Sequence, residues 1–321
     1  MSKKNKQLRW RFSYKSLKYP ILIWVLGITI SAVCGNLMQD WRTALHGAVI
    51  STTVAFASYL NLVLPLAYIQ WARKSAMIIL GSYSVLYLWL MRMENPDISG
   101  FMIYALQNTW TLSVLAFLLY TIILPIVVGR AWCGWGCWIA VLFEIMPFEH
   151  NGRKGRIKKG YAFQLVFLFY ILCLSVGIWY LNIKGASIDL QQKSIVVTFW
   201  MVLLGYYVLG AILAVVFKDN RAFCKYLCPV APVQQFFSHF AIVKLRGDRS
   251  KCRRCMACEE ACPMDIKIVQ YVDADERILS GECILCMRCV QKCPNEAFRP
   301  TFGLDLSFDE SIRYMKSRKY F

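Results

Sequence analysis

Six apolar runs punctuate the chain, each near the roughly 20 residues that a helix needs to cross the hydrocarbon of a bilayer. They cover Ile21 to Met38, Leu45 to Ile69, Met77 to Met91, Thr111 to Val128, Phe163 to Leu181 and Val196 to Phe217. The third is short, and Arg92 and Glu94 close it. Beyond Phe217 polar positions become frequent and no stretch is long enough to span. The pattern predicts a multi-pass α-helical membrane protein with six transmembrane helices and a C-terminal part outside the bilayer.

Composition agrees: 58% of the 321 residues are hydrophobic, 15% aromatic and only 17% charged, which suits a lipid solvent better than water. The formal charge of +18 raises nucleic acid as a partner, so the placement of the basic residues has to decide. With the N-terminus inside, Lys and Arg number 7 before the first span, 2 at Arg73 and Lys74, and 6 from Arg130 to Lys159. The other side holds 4, at Arg42, Arg92, Lys184 and Lys193. The 18 from Lys218 onward belong to a domain and carry little topological weight. A ratio of 15 to 4 predicts both termini in the cytoplasm of an inner-membrane protein, and leaves no dedicated basic domain for nucleic acid. Ser2 to Tyr19 reads as a basic arm, and the run after it, lacking a small-residue cleavage site, as an anchor.

Of 14 cysteines, eight follow Lys251 at the spacing of metal ligands, which places that end in a reducing compartment. Cys252-x2-Cys255-x2-Cys258-x3-Cys262-Pro263 recurs 31 positions later as Cys283-x2-Cys286-x2-Cys289-x3-Cys293-Pro294. This is the run of a bacterial-type α+β ferredoxin module with two [4Fe-4S] clusters, in which the fourth cysteine of each run ligates the other cluster. Carried over, Cys252, Cys255, Cys258 and Cys293 hold one cluster, and Cys283, Cys286, Cys289 and Cys262 the second. Zinc is the competing occupant of four thiolates, but two matched runs ending in Cys-Pro favour iron and sulfide. Lys251, Arg253, Arg254, Arg288 and Lys292 lie among these ligands, either tuning potential or forming a solvated basic patch. Crossed ligation predicts a module that folds only with its metal.

A second repeat lies at the predicted inner ends of spans four and six: Arg130-Ala-Trp-Cys133-Gly-Trp-Gly-Cys137 and Arg221-Ala-Phe-Cys224-Lys-Tyr-Leu-Cys228-Pro229. On a helix, cysteines at i and i+4 share a face, so two such pairs could offer four thiolates. Three readings stay open for Cys133, Cys137, Cys224 and Cys228: a third iron-sulfur cluster or other metal, a thiol redox pair, or packing.

With these motifs the chain resembles the NapH/NosR-type membrane polyferredoxins, including the YccM-like electron-transport proteins, over roughly Val128 to Ala297. Cys137 is followed by Trp138 where the family usually has proline. The resemblance implies an electron-transfer subunit relaying electrons between the quinone pool, or a membrane or periplasmic redox partner, and cytoplasmic clusters. The alternative resemblance, to the FixG/CcoG oxidase-accessory proteins, implies copper reduction for cofactor assembly. A third reading makes the clusters a sensor, but the sequence shows no output domain.

The expected organisation is a basic arm over residues 1–19, a membrane domain over 20–243, a ferredoxin module over 244–300 and a tail over 301–321. Cys34 and Cys173 lie inside spans and are expected to pack as small hydrophobes. His46, near the outer face, and Glu144, near the inner, are weighed as quinol-site groups against interfacial roles. Trp132, Trp135, Trp138 and Phe223 either shield the surface cysteines from water or form an interfacial aromatic belt.

Overall fold

Apolar runs become long helices here wherever proline and charge leave them uninterrupted. The computed structural model describes residues 14–37, 39–87, 91–148, 160–183 and 188–305. Most of the basic arm and of the tail, the loop with Arg153 to Lys159, His150 and Lys184 lie outside these residues.

Helices α1 (Tyr14–Leu37) and α2 (Trp41–Val63) pack closely because small residues face each other. A Cβ on Gly27 would stand 2.3 Å from Ser51 Oγ, and one on Gly47 2.3 Å from Ser31 Oγ. The second predicted span divides at Pro65, which has no N–H to continue α2. A 3-10 turn, Leu66–Tyr68, leads into α3 (Ile69–Tyr87), followed by α4 (Ile98–Leu106). Helix α5 (Leu112–Leu118) runs through a π turn, Leu119–Ile123, into α6 (Leu124–Val128), where Pro125 disturbs the ladder. Two short helices follow, α7 (Ala131–Trp135) and α8 (Trp138–Ile145). Then come the long α9 (Gly160–Ile178) and α10 (Ile188–Phe217), and the short α11 (Ala222–Tyr226) and α12 (Ala231–Ser238).

Among the described residues four segments are long and apolar enough to cross a membrane: Leu17–Leu37, Trp41–Val63, Gly160–Leu181 and Lys193–Phe217. The other two predicted spans fall short for different reasons. Helix α3 carries Gln70, Arg73 and Lys74 near its start and Ser82, Tyr83 and Ser84 further on. The apolar helix Leu112–Val128 is too short. Large apolar side chains such as Val166 (68% exposed) and Met201 (70%) point outward, as lipid-facing residues do. Cys34 and Cys173, expected to pack, are exposed on α1 and α9 instead, a correction that follows from an exterior as apolar as the interior.

The C-terminal module is framed by an antiparallel pair, β1 (Val243–Gly247) and β2 (Phe298–Phe302), in register from Val243 opposite Phe302 to Gly247 opposite Phe298. Between the strands lie α13 (Ala257–Glu260), α14 (Ile268–Asp273) and α15 (Arg288–Lys292). The repeat is built into the backbone as well as the cysteines. Left-handed φ angles occur at Arg254 and Leu285, at Met256 and Met287, and at Asp265 and Glu296, each pair 31 positions apart. Such residues turn successive peptide N–H groups toward a common concavity, the arrangement that receives an anion.

Candidate metal centres

The two ferredoxin runs fold around two voids. One is lined by Cys252, Cys255, Cys258 and Cys293. The other is lined by Cys262, Cys283, Cys286 and Cys289. The partition is crossed because Cys262 and Cys293 each follow a short helix, α13 or α15, that carries the chain from its own loop toward its neighbour's. Among the described residues no three thiol, imidazole or carboxylate groups converge as ligands of a single ion would; each set rings a void. Backbone N–H groups already aim at sulfur, Arg254 N at Cys252 Sγ (3.4 Å) and Ala297 N at Cys293 Sγ (3.4 Å). Burial, and next to it the neighbouring carboxylate and thiols, pushes Cys258 up to about 12; burial likewise takes Cys283 to about 12 and raises Cys262 and Cys289. As bare thiols these groups resist ionisation, and the positive charge of iron is what would reverse that.

The second repeat is also expressed in the backbone. Gly136 N and Cys137 N both donate to Trp132 O at 2.9 Å, and Leu227 N and Cys228 N both donate to Phe223 O at 2.9 Å. Helices α7 and α11 therefore end alike, and the second cysteine of each pair lies beyond its helix. This corrects the expectation of a shared helical face: Cys133 and Cys224 project from short helices, whereas Cys137 and Cys228 occupy the turns after them. The four thiols nonetheless gather. Burial first, then the other thiols of the set, raises Cys137 to about 12 and Cys228 well above its ordinary value. Cys133 Sγ donates to Gln234 Oε1 at 2.9 Å.

Two buried arginines face this set. Arg221 Nη1 donates to Cys133 O (3.0 Å) and lies 4.0 Å from Cys224 Sγ. Arg130, 1% exposed, has Nε and Nη1 without hydrogen-bond partners among the described residues. Burial opposes its charge, but the neighbouring Cys133, Cys228 and Glu282 hold it protonated. A buried guanidinium with idle donors beside four thiols suits an anionic group such as a thiolate-ligated cluster. Sequence reasoning passed over both arginines, although Arg-Ala-aromatic-Cys begins each copy of the repeat.

Glu144 joins the two regions. Its carboxylate pairs with Arg73 of α3, with Arg221 Nη2 at 2.5 Å and with Arg288 of the ferredoxin module at 3.1 Å. Burial would raise its pKa, yet the three guanidiniums hold it at about 2. Further contacts seat the second ferredoxin loop on the membrane domain. Trp135 Nε1 donates to Leu285 O (3.0 Å) and Gln70 Nε2 to Cys286 O (2.9 Å), while within the membrane domain Arg73 Nη1 donates to Gly134 O (2.8 Å). Lys225, wholly buried, bridges Asp219 (2.5 Å) and Asp265 (2.6 Å). Cys133 thereby enters the same apolar cluster as Cys262, Cys286 and Cys289. Trp132 stacks on Tyr120 at 4.1 Å and meets Trp138 edge-on, and Phe223 lies with them in the bundle core. His46 lies apart from this region, buried and stacked on Tyr87 at 4.1 Å.

The 4Fe-4S dicluster domain family matches residues 244–294, and a 4Fe-4S binding domain family matches residues 110–155 and 197–249, which contain the two C-x3-C motifs. An uncharacterized protein of Methanocaldococcus jannaschii, MJ0749, is 31% identical over 182 residues, 55% of this chain and 66% of its own length. The ferredoxin-type protein NapH of Haemophilus influenzae is 22% identical over 245 residues, 72% of this chain and 83% of NapH. The chain belongs to the NapH/NosR/YccM-type membrane polyferredoxins. Both matched families are 4Fe-4S domains, and NapH is a ferredoxin-type protein. The putative electron transport protein YccM of Escherichia coli is 23% identical over 186 residues, 54% of this polyferredoxin and 51% of YccM. The chain thus spans just under two thirds of the first of these relatives and about half of the last. No solved structure matches it significantly.

Proposed function

We propose that this polyferredoxin is a six-span inner-membrane electron-transfer subunit with both termini in the cytoplasm. It relays electrons between the quinone pool, or a membrane or periplasmic redox partner, and the cytoplasmic clusters. Cys252, Cys255, Cys258 and Cys293 hold one [4Fe-4S] cluster, and Cys262, Cys283, Cys286 and Cys289 the other, in a module over residues 244–300. Cys133, Cys137, Cys224 and Cys228 hold a third iron-sulfur cluster, whose negative charge Arg130 and Arg221 offset. When bound, such clusters supply one-electron chemistry. The chain's own part is to hold them close together, out of water and in fixed order.

The observation that carries this reading is the seating of the 283–289 loop on the first C-x3-C turn, through Trp135 to Leu285 O and Gln70 to Cys286 O. That contact supports a continuous path from the membrane surface into the ferredoxin module. The test is anaerobic addition of a short-chain quinol to the protein in nanodiscs, with cluster reduction followed by electron paramagnetic resonance. Reduction by quinol supports the relay. Copper(II) reduction with no response to quinol would instead favour an accessory metal reductase.

A further inference from the structure

The two ferredoxin voids sit in unlike surroundings. The loop bearing Cys283 and Cys286 makes its polar contacts with the membrane domain, through Gln70, Trp135 and Glu144. The loop bearing Cys252 and Cys255 makes its own within the module: Arg254 with Asp273 at 2.9 Å, Lys251 with Asp248 at 3.5 Å, and Asn295 Nδ2 with Lys251 O at 2.7 Å. Cys255 is exposed, and so is Met256 beside it, at 47%. Around this opening, Arg249, Lys251, Arg253 and Arg254 are all exposed, and Lys251 and Arg253 line the void itself. Asp248 and Asp273 answer two of the four charges; Arg249 and Arg253 have no ion pair among the described residues.

We propose that this rim is the docking face for a small acidic electron-carrier protein, and that the Cys252, Cys255, Cys258 and Cys293 site is the solvent end of the relay. The inference rests on the cluster assignment proposed above. One electron leaves the reduced carrier, which is oxidised by one unit, and reduces the cluster at this site by one; no bond or proton moves, and the reverse transfer uses the same contact. Three features favour a protein carrier. An exposed ligand places the site's edge within tunnelling reach of a partner's centre. A cluster held by four thiolates is itself negative and would repel an acidic partner, so a basic rim is what permits close approach. Electron-transfer encounters are also small and weak, and depend on steering by just such patches.

The test uses the full chain, loaded with iron under anaerobic conditions in nanodiscs of zwitterionic lipid, and a small acidic plant-type ferredoxin as the probe. Association of the oxidised probe and electron transfer from the reduced probe are each measured at low and physiological ionic strength. Arg249→Glu with Arg253→Glu is expected to slow both about tenfold or more and to remove most of their salt dependence. Iron per chain and the spectrum after dithionite reduction stay as in the parent. Should that pair impair loading, Arg249→Gln with Arg253→Gln is expected to give a smaller effect of the same sign. Unchanged association would overturn the proposal. So would loss of binding to anionic phosphatidylglycerol vesicles with ferredoxin association intact, which would make the rim a membrane-surface patch. Absence of a cluster signal from this site in the parent would instead sink the cluster assignment, while association of the oxidised probe would still read the docking face.

Discussion

Arg288 of the ferredoxin module reaches Glu144 of the membrane domain at 3.1 Å, sharing a carboxylate that Arg73 and Arg221 already hold. Three cations around one buried anion make Glu144 one of the groups that seat the module. Glu144→Gln would leave Arg73 and Arg221, both almost fully buried, without their counter-charge. The expected loss is about 3 kcal/mol or more, read as a lower melting temperature and easier proteolytic release of the module.

The same carboxylate sets a pH window. Its pKa in the folded protein is about 2 against an ordinary 4.5, so its stabilising contribution is complete above pH 4.5 and disappears as pH falls toward 2. Module release followed by light scattering is expected to be flat through the neutral range and to rise only below about pH 4.5. In Glu144→Gln this acid step should be missing.

Counting iron and acid-labile sulfide decides the role of the C-x3-C thiols. With three four-iron clusters the parent should contain about 12 irons per chain, and the Cys133→Ser, Cys224→Ser double variant about 8. Equal values near 8 in both would remove the third cluster and turn attention to thiol chemistry.

Gly134 has no room for a side chain: a Cβ there would stand 2.3 Å from Ile284 O, which is backbone and cannot rotate away. Gly134→Ala should force the second ferredoxin loop off its seat, at ~1–3 kcal/mol. Iron content should be retained while the magnetic coupling between the C-x3-C site and the nearer ferredoxin cluster weakens. Coupling as strong as in the parent would show that the contact does not set the spacing of the two sites.

Arg130 supplies charge while its Nε and Nη1 donors stay unspent. If the proposed C-x3-C cluster is present, Arg130→Met should make it harder to reduce, shifting its midpoint by tens of millivolts to the negative side, with partial recovery in Arg130→Lys. A variant with unchanged potential would reduce Arg130 to a packing role.

The iron-sulfur chemistry was legible because cysteine spacing is local: a three-residue step sets a tight loop, and the loop sets the direction of its thiols. The family was legible for the same reason. What escaped the sequence is non-local. Glu144 pairs with residues at 73, 221 and 288, and nothing in the one-dimensional pattern brings those positions together. Read alone, it is weighed as a quinol-site group against an interfacial role; folded, it is an ion-pair hub. The helical i, i+4 argument placed Cys137 and Cys228 on the wrong element because it could not foresee that each short helix ends two residues before them. The third predicted span is not among the described segments that are long and apolar enough to cross, because α3 carries Gln70 and Arg73 for contacts with the ferredoxin loop and the C-x3-C turn.

The crossing of ligands between the two ferredoxin loops, and the division of the C-x3-C site between two distant turns, also impose a schedule on the ribosome. Ninety-five positions separate Cys133 from Cys228, about 5–20 s of synthesis, during which the first pair of thiols waits without its complement. The set containing Cys262 is complete once Cys289 has emerged, and the set containing Cys252 only at Cys293. The proposed centres would therefore be completed in order from the membrane domain outward, and the solvent-facing one would be the last that the assembly machinery could fill.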